Sequence, residues 1–339
     1  MQSHTFRALS RRLLRLHPAD SPPEIRARVV EVLTETPDAR TFVLRPNRHW
    51  TGHRAGQHTT VEVEIDGVRH RRCYSISSAP SDRHLAITVK RVAGGRVSPW
   101  LHAHVRPGHV LRLGPAAGDF GLEPAEVAAP LLLLGGGSGV TPLMSILRDL
   151  VDRGAVRDVV FVIHARRRDD VIFGRELEAI AARHAGLRLL VELGDLDEVR
   201  LARQVPDFAA RTTLLCGPGG MMERVERMWT GAGAAARLRR EHFAAPPVPT
   251  PAPGAPVAVR LTGAARTVIA DGAGTLLEQL ERAGERPPSG CRIGICQTCK
   301  CRKQSGVVEN LRTGAISSDP DEDIQLCISR ARSELRLAL

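Results

Sequence analysis

The chain has 339 residues, 42% of them apolar and 25% charged, so it is long enough for two or three packed domains and too apolar for wholesale disorder. Its formal charge of +11 arises from 48 Lys and Arg against 37 Asp and Glu, but aromatic residues make up only 3% and the arginines are spread along the chain. Lacking stacking rings and a localised basic face, the sequence does not read as a nucleic-acid binder.

Residues 1–17 interleave Phe6, Leu9, Leu13, Leu14 and Leu16 with Arg7, Arg11, Arg12 and Arg15, and contain no acid. At 100° per residue, Phe6, Leu9, Leu13 and Leu16 share one face, as a helix lying on a membrane surface requires; a solvated terminal helix gives the same pattern. Residues 1–24 are therefore read as a basic amphipathic extension. The longest apolar run, residues 127–134, has eight residues, far below the ~20 needed to span a bilayer. No transmembrane helix is expected, and the protein is placed in the cytoplasm, with peripheral contact at the inner face of the membrane through residues 1–17.

Residues 25–127 carry alternating patterns such as TVEVEI at 60–65, closed by Asp66-Gly67, and LAITVKRV at 85–92, closed by Gly94-Gly95. They predict an antiparallel β-barrel. Over 128–243 the texture changes to buried runs followed by helical patterns: LLLL, then GGGSG and VTPLMSILRDLV; VVFVIH, then FGRELEAIAAR; TTLLC, then MMERVERMW. Strand, turn and helix in repetition predict an α/β domain with a parallel sheet. Residues 244–256 are proline-rich and read as a semi-rigid linker. Residues 257–339 contain a hairpin pattern, a helix at TLLEQLERAG and a closing strand at SELRLAL, an α+β unit.

Seven cysteines are unevenly placed: Cys73 and Cys216 stand alone, while Cys291, Cys296, Cys299, Cys301 and Cys327 crowd the last unit. An odd number in a long chain without a secretory hydrophobic region points to thiolate ligands in a reducing compartment. The spacing Cys291-x4-Cys296-x2-Cys299, with Cys327 further on, is that of a plant-type [2Fe-2S] cluster, where a tight loop supplies three ligands and a distant strand the fourth. Gly290 and Gly294 suit a backbone that wraps the cluster closely. Structural zinc is the alternative, which would make the chain a non-enzymatic binding module, but zinc sites favour two C-x2-C pairs and only one occurs here. Cys301 is left out of the ligand set.

Arg72-Cys73-Tyr74-Ser75 closes a strand pattern. A guanidinium suits a pyrophosphate, a phenol ring can lie on an isoalloxazine, and a hydroxyl can donate to a flavin nitrogen; an ordinary strand end reads the same way in isolation. Gly135, Gly137 and Gly139 follow LLLL and open a helix, where glycine lets a pyrophosphate approach and the helix N-terminus favours its charge. Val140 stands where a G-x-G-x-x-G fingerprint has its last glycine, and the lysine of a P-loop is missing. Cys216-Gly217-Pro218-Gly219 ends a later strand, with Cys216 readable equally as a small buried hydrophobe. Arg166, Arg167 and Arg168 follow the second strand of this sheet; guanidinium groups suit a 2′-phosphate, so the chemistry favours NADPH over NADH.

With these motifs on the page, residues 257–339 resemble a plant-type ferredoxin (β-grasp) domain, and the preceding segment resembles the ferredoxin–NADP reductase superfamily. The resemblance implies that Arg72 and Ser98, with Lys90 and the backbone at Gly95 and Val97, hold the FAD phosphates. It implies that Tyr74 and Ser75 contact the flavin, that Thr141 in G-x-G-x-T-P faces the nicotinamide, and that Cys216, beside Gly217 and Pro218, lies against the reactive nicotinamide carbon. Tyr74, Ser75, Thr141 and Cys216 are thus the expected catalytic residues. Nicotinamide gives a hydride whereas a cluster takes single electrons, and a flavin between them resolves the mismatch. The implied function is an NAD(P)H-dependent reductase passing electrons through FAD and [2Fe-2S] to a protein acceptor. LHPAD at 16–20 and GHRAGQ at 52–57 resemble the branch serving membrane di-iron fatty acid desaturases; the alternative is an FMN-type reductase of an aromatic-ring oxygenase.

Overall fold

The computed structural model describes residues 24–243, 255–263, 265–290, 292, 294 and 298–339. Nearly all of the amphipathic extension and of the proline-rich linker, together with Cys291 and Cys296, lie outside the described residues. Among the described residues no helix is long and apolar enough to cross a membrane.

The first unit contains β1 (Ile25–Thr36), β2 (Ala39–Pro46), β3 (His58–Ile65), β4 (Val68–Ser75), β5 (Leu85–Lys90) and β6 (Val110–Leu113), in the antiparallel order β4-β3-β6-β1-β2-β5. Its two edges meet where Ile76 bridges Ile87 and the Ser77 amide donates to the Ala86 carbonyl at 2.8 Å, so the sheet curls on itself. Alternation builds the interior: Phe42, Leu44, Val61, Ile87 and Val89 are fully buried. Asp66 and Gly67 both take positive φ, 52° and 72°, the turn that matches strand twist in a two-residue hairpin. Helix α1 (Val97–His104) adds Val97 and Leu101 to the same core.

The second unit is a five-stranded parallel sheet, order β11-β10-β7-β8-β9, formed by β7 (Leu131–Gly136), β8 (Val159–Ala165), β9 (Leu187–Leu193), β10 (Thr212–Cys216) and β11 (Leu238–Glu241). Its helices are α2 (Val140–Asp152), α3 (Gly174–Arg183), α4 (Glu198–Gln204) and α5 (Gly219–Gly231). Every residue of β7 and β8 is buried, as an unalternating apolar run covered on both faces should be. The chain leaves β7 for β8 and β9 on one side, then returns to place β10 and β11 on the other. The reversal puts a crevice at the carboxyl ends of β7 and β10, where open α/β sheets bind ligands. One core cluster spans both units, joining Ala39 and Phe120 of the first to Leu133, Leu143 and Ile146 of the second.

The third unit has β12 (Val257–Leu261), β13 (Arg266–Ala270), helix α6 (Leu276–Arg282), β14 (Lys300–Ser305), β15 (Val308–Asn310), β16 (Ile316–Ser317), β17 (Glu322–Gln325), β18 (Ser329–Ala331) and β19 (Leu335–Leu337). The main sheet runs β13-β12-β19-β14-β17; its first and last strands in sequence, β12 and β19, pair parallel, while its other pairings are antiparallel. Helix α6 starts at Thr275, whose side chain accepts from the Glu278 amide while Glu278 accepts from the Thr275 amide, a reciprocal cap. It buries Leu276, Leu277 and Leu280 against this sheet.

Candidate functional site

Strand β4 carries Arg72 and Tyr74 to its end and closes on Ser75, which lies opposite His58 of β3. Burial pushes the Tyr74 phenol far above its ordinary range, so the ring stays neutral. Ser75 is buried, and its Oγ has no hydrogen-bond partner among the described residues, leaving the hydroxyl uncommitted. Burial, and then the charges of Arg72 and Arg96, lower the pKa of His70, so both guanidinium groups act by charge on one imidazole. The turn after β5 supports them: the Gly95 amide donates to the Val92 carbonyl at 3.0 Å, and Ser98 Oγ accepts from the Val92 amide at 3.0 Å. Two guanidinium groups and a tight turn at a helix start have the donor chemistry of a diphosphate site, and the residues therefore fit the FAD phosphates. His70 carries no motif of its own and was not singled out from the sequence, whereas Arg96 lies inside the Gly95–Val97 run, where the backbone rather than its side chain was expected to act. Lys90 is occupied by Asp38, with Nζ 2.9 Å from a carboxylate oxygen, and Val97 points into the barrel core.

The residues expected on the nicotinamide side come together where two turns cross. A Cβ on Gly139 would lie 2.1 Å from the Cys216 carbonyl oxygen and 2.6 Å from the Gly217 nitrogen. A Cβ on Gly217 would lie 3.1 Å from the Gly136 nitrogen and 2.5 Å from Met221 Cε. The turns after β7 and β10 therefore touch backbone to backbone. Gly137 serves differently: its φ is +51° and a Cβ there would meet nothing within 4 Å, which leaves that side of the turn open. Gly135 packs on Leu143 and Val140 at the start of α2. Thr141, in the first turn of α2, is buried, and its Oγ1 donates to the Ser138 carbonyl at 2.9 Å.

Cys216 is fully buried and sits opposite Glu241 in the β10–β11 register. Burial, reinforced by the Glu241 charge, raises the thiol well above its ordinary pKa, so it is a neutral wall rather than a thiolate. Burial also raises Glu241, against the lowering effect of His58; Glu241 Oε1 is 3.7 Å from His58 Nδ1, and Oε2 has no partner among the described residues. Ser75, His58, Glu241 and Cys216 thus form a run from the end of β4 in the first unit to the end of β10 in the second. Sequence reasoning missed His58 and Glu241, because neither belongs to a motif and each is defined only by the strand opposite.

Of the three arginines after β8, Arg167 pairs with Asp170 at 3.6 Å and Arg168 with Glu178 at 2.6 Å. Arg166 acts by charge on the first unit: Asp38, despite its burial, is held below the ordinary carboxylate range by hydrogen bonds from Lys90 and Thr36 and by the charges of Lys90 and Arg166.

In the third unit, Cys299 and Cys327 are buried side by side, with the Leu326 amide donating to the Cys299 carbonyl at 3.2 Å. Arg292 and Gly294 take positive φ, 61° and 78°, and the Gly294 amide donates to Cys327 Sγ at 3.3 Å. Gln325 Nε2 donates back to the Gly294 carbonyl at 2.9 Å. Left-handed backbone at Arg292 and Gly294, with the Gly294 N–H aimed at a cysteine sulfur, is what cluster thiolates need, so these residues fit an iron–sulfur centre. Cys291 and Cys296, the other two expected ligands, lie outside the described residues. Cys301 is buried in the sheet, its thiol pushed up to about 11 by burial, with Sγ 3.9 Å from the Ala338 carbonyl.

Comparison with known proteins gives matches over all three units. Residues 26–121 match the family model for an oxidoreductase FAD-binding domain, residues 133–227 that for an oxidoreductase NAD-binding domain, and residues 259–332 that for a 2Fe-2S iron-sulfur cluster binding domain. An NADPH oxidoreductase of Mycobacterium tuberculosis is 39% identical over 329 residues, covering 94% of this chain and 85% of that protein. The glycine betaine monooxygenase reductase subunit of Pseudomonas aeruginosa is 36% identical, covering 88% of this chain and 89% of its own. The solved structure of phthalate dioxygenase reductase superposes with a TM-score of 0.63 at 26% identity, covering 93% of this chain and 98% of that one. The match over 259–332 selects the iron–sulfur reading of the cysteine pattern over zinc.

Proposed function

Since the chain belongs to the ferredoxin–NADP reductase superfamily, in the branch with a C-terminal [2Fe-2S] domain, we propose that it is the reductase of a multicomponent oxygen-activating system, drawing electrons from NADPH for a separate metalloprotein. It is an NAD(P)H-dependent oxidoreductase with FAD and [2Fe-2S] centres. The observation that carries the reading is the backbone contact between the Gly139 and Cys216 turns, with Ser75 and Glu241 converging on the same crevice.

Arg72, Arg96 and Ser98 hold the flavin phosphates, while the Tyr74 ring and Ser75 hydroxyl meet the flavin itself. When bound, FAD supplies the conversion of a two-electron hydride into single electrons for the cluster. The glycine turn binds the nucleotide pyrophosphate through its amides, Thr141 orients the nicotinamide, and the neutral Cys216 thiol packs against it without adding charge. Each NADPH oxidised leaves one proton to be exported. Glu241 Oε2, which has no partner among the described residues, and the nearby His58 Nδ1 are placed to receive it, since burial raises the Glu241 carboxyl above its ordinary value and so strengthens its hold on a proton.

NADPH is favoured over NADH by the guanidinium group of Arg166, with Arg167 and Arg168 able to exchange their ion pairs for a 2′-phosphate, and a relative named for NADPH oxidation supports that preference. For the acceptor, relatives named as reductase parts of monooxygenases support an oxygenase component. A membrane di-iron fatty acid desaturase is the second reading, supported by the resemblance at 16–20 and 52–57 and by the basic amphipathic sequence of residues 1–17. Stopped-flow reduction with NADPH and NADH in turn, followed at flavin and cluster wavelengths, tests donor and electron order. Flavin released by heat identifies FAD against FMN. Turnover with a soluble oxygenase, compared with desaturation in membranes holding a candidate desaturase, decides the acceptor; failure of NADPH to bleach either chromophore would overturn the reading.

A further inference from the structure

Helix α2 begins at the glycine turn, so whatever fixes this helix also fixes the nicotinamide end of the crevice. Thr141, Ser145, Arg148 and Asp152 stand at i, i+4, i+7 and i+11, a stripe about 60° wide on one helix face. The last three each bond the flavin-binding unit. Ser145 Oγ donates to the Ser78 carbonyl at 2.7 Å, Arg148 Nη1 donates to the Ser77 carbonyl, and the Ser81 hydroxyl donates to Asp152. Their partners lie in residues 77–81, directly after Tyr74 and Ser75. Two tracks thus run side by side: Thr141 leads into Ser145, Arg148 and Asp152, and Ser75 leads into Ser77, Ser78 and Ser81.

Arg148 is itself held from two directions. Its Nε and Nη2 meet the Glu176 carboxylate of α3 at 2.9 and 2.6 Å, and its guanidinium carbon lies 5.1 Å from the centre of the Phe173 ring. Phe173 adopts φ +61°, costly for a residue with a side chain, directly before the first turn of α3. The partner loop is equally constrained: Ser77 and Ser78 are buried, and Ser78 Oγ accepts from the Ala86 amide at 3.0 Å. The rest of the seam is apolar, with Phe120 against the Leu143 and Ile146 cluster. Apolar contact gives adhesion without direction, whereas hydrogen bonds of fixed geometry set register.

We propose that Ser145, Arg148 and Asp152 act as a bolt, with Arg148 the principal positioning residue, setting the spacing between the Tyr74–Ser75 segment and the Thr141 turn at which hydride passes. The inference rests on the reading of those residues as the flavin- and nicotinamide-facing groups. It implies that adhesion of the two units and alignment of the two cofactor ends are separable, the first residing in the apolar seam and the second in this stripe.

The test uses the full-length holoprotein with Arg148→Leu, Arg148→Lys and Ser145→Ala. Three quantities are measured: the rate constant for flavin reduction at saturating NADPH, the Kd of NADP+, and hydrogen exchange at amides 77–81. In Arg148→Leu, reduction slows about 10- to 100-fold, since misplacement by about 1 Å costs on that order. The NADP+ Kd stays within about threefold, while exchange at 77–81 accelerates. Arg148→Lys recovers part of the rate, because one donor can still reach the Ser77 carbonyl. Ser145→Ala removes a single hydroxyl, and its smaller slowing with faster exchange supports the bolt even if Arg148→Leu fails to fold. Unchanged reduction in both Arg148→Lys and Ser145→Ala, or slowing that vanishes at higher NADPH, overturns it. Failure of the wild type to be reduced by either nicotinamide nucleotide would instead overturn the functional reading beneath it.

Discussion

Gly139→Ala isolates the contact on which the proposed nucleotide site is built. Gly139 has φ −63°, which alanine adopts freely, so no backbone strain enters. The new Cβ would lie 2.1 Å from the Cys216 carbonyl oxygen, 2.4 Å from its carbon and 2.6 Å from the Gly217 nitrogen, all backbone atoms that cannot rotate away. Ordinary carbon contacts begin near 3.4 Å, so the turns must part by roughly 1.3 Å. Overpacking of this kind costs about 1–3 kcal/mol, offset by about 0.4–1 kcal/mol from the reduced entropy of the unfolded chain. The fold therefore survives with a melting temperature lower by a few degrees. The chemistry fares worse, because parting the turns by about 1 Å moves Thr141 and Cys216 relative to Ser75, a displacement worth on the order of 10²-fold in rate. Stopped-flow reduction by NADPH should slow accordingly, while dithionite reduction, flavin content and cluster absorbance match the wild type. Wild-type reduction kinetics in Gly139→Ala would refute the claim that these turns form the nucleotide site.

Glu241, raised by burial above its ordinary value of 4.5, binds its proton more tightly folded than unfolded, so it lowers stability progressively as pH rises above about 4.5. In Glu241→Gln that contribution disappears, and the difference in melting temperature between variant and wild type should grow as pH rises from about 4.5 and level off once the folded carboxyl has ionised; a difference constant with pH refutes it. Lys303 is fully buried, with Nζ donating to the Gly306 and Ser317 carbonyls at 3.1 and 3.2 Å and pairing with Glu322 at 2.7 Å. Lys303→Met strips three acceptors of their donor and should cost about 3 kcal/mol, seen as loss of iron and acid-labile sulfide with flavin content intact. Arg72→Ala removes one of two guanidinium groups from the flavin phosphate site; released-flavin fluorescence should report FAD affinity weakened about 10- to 100-fold, the range of a charge-assisted hydrogen bond.

What the sequence discloses and what it hides divides along physical lines. LLLL at 131–134 shows no alternation because both faces of β7 are covered, and Asp66-Gly67 names its own hairpin, so the sheets and their order of appearance were legible. The cysteine spacing was equally plain, since a cluster constrains ligands along the chain before it constrains anything else. Gly56 is an intermediate case: sequence shows a glycine before Gln57, but only the structure shows a φ of +89° and a Cβ position 1.9 Å from the Phe120 carbonyl. His58 and Glu241 were hidden because each takes its meaning from a strand of the other unit, and local pattern carries no record of such a meeting. Lys303 was hidden for a related reason: lysine on a strand is ordinarily a surface residue, and its burial follows only from acceptors supplied by the neighbouring turn and strand.

The contrast between the seams follows from what each transfer demands. Hydride moves with its nucleus, so donor and acceptor must sit in contact, and the seam between the first two units is a shared apolar core with a row of hydrogen bonds along α2. Electrons alone tolerate a gap, and the third unit is joined through a proline-rich segment. A polar contact between Arg72 Nη1 and the Gly290 carbonyl is 3.4 Å, long for a hydrogen bond. Gly290 immediately precedes Cys291, so the guanidinium assigned to the flavin phosphates also touches the start of the cluster loop. A contact of that length is readily broken, as delivery of electrons to the proposed separate acceptor requires. Tightening this seam, for example by a disulfide across it, should leave flavin-to-cluster transfer intact and abolish acceptor turnover; acceptor turnover surviving the crosslink would show that the cluster is reached without undocking.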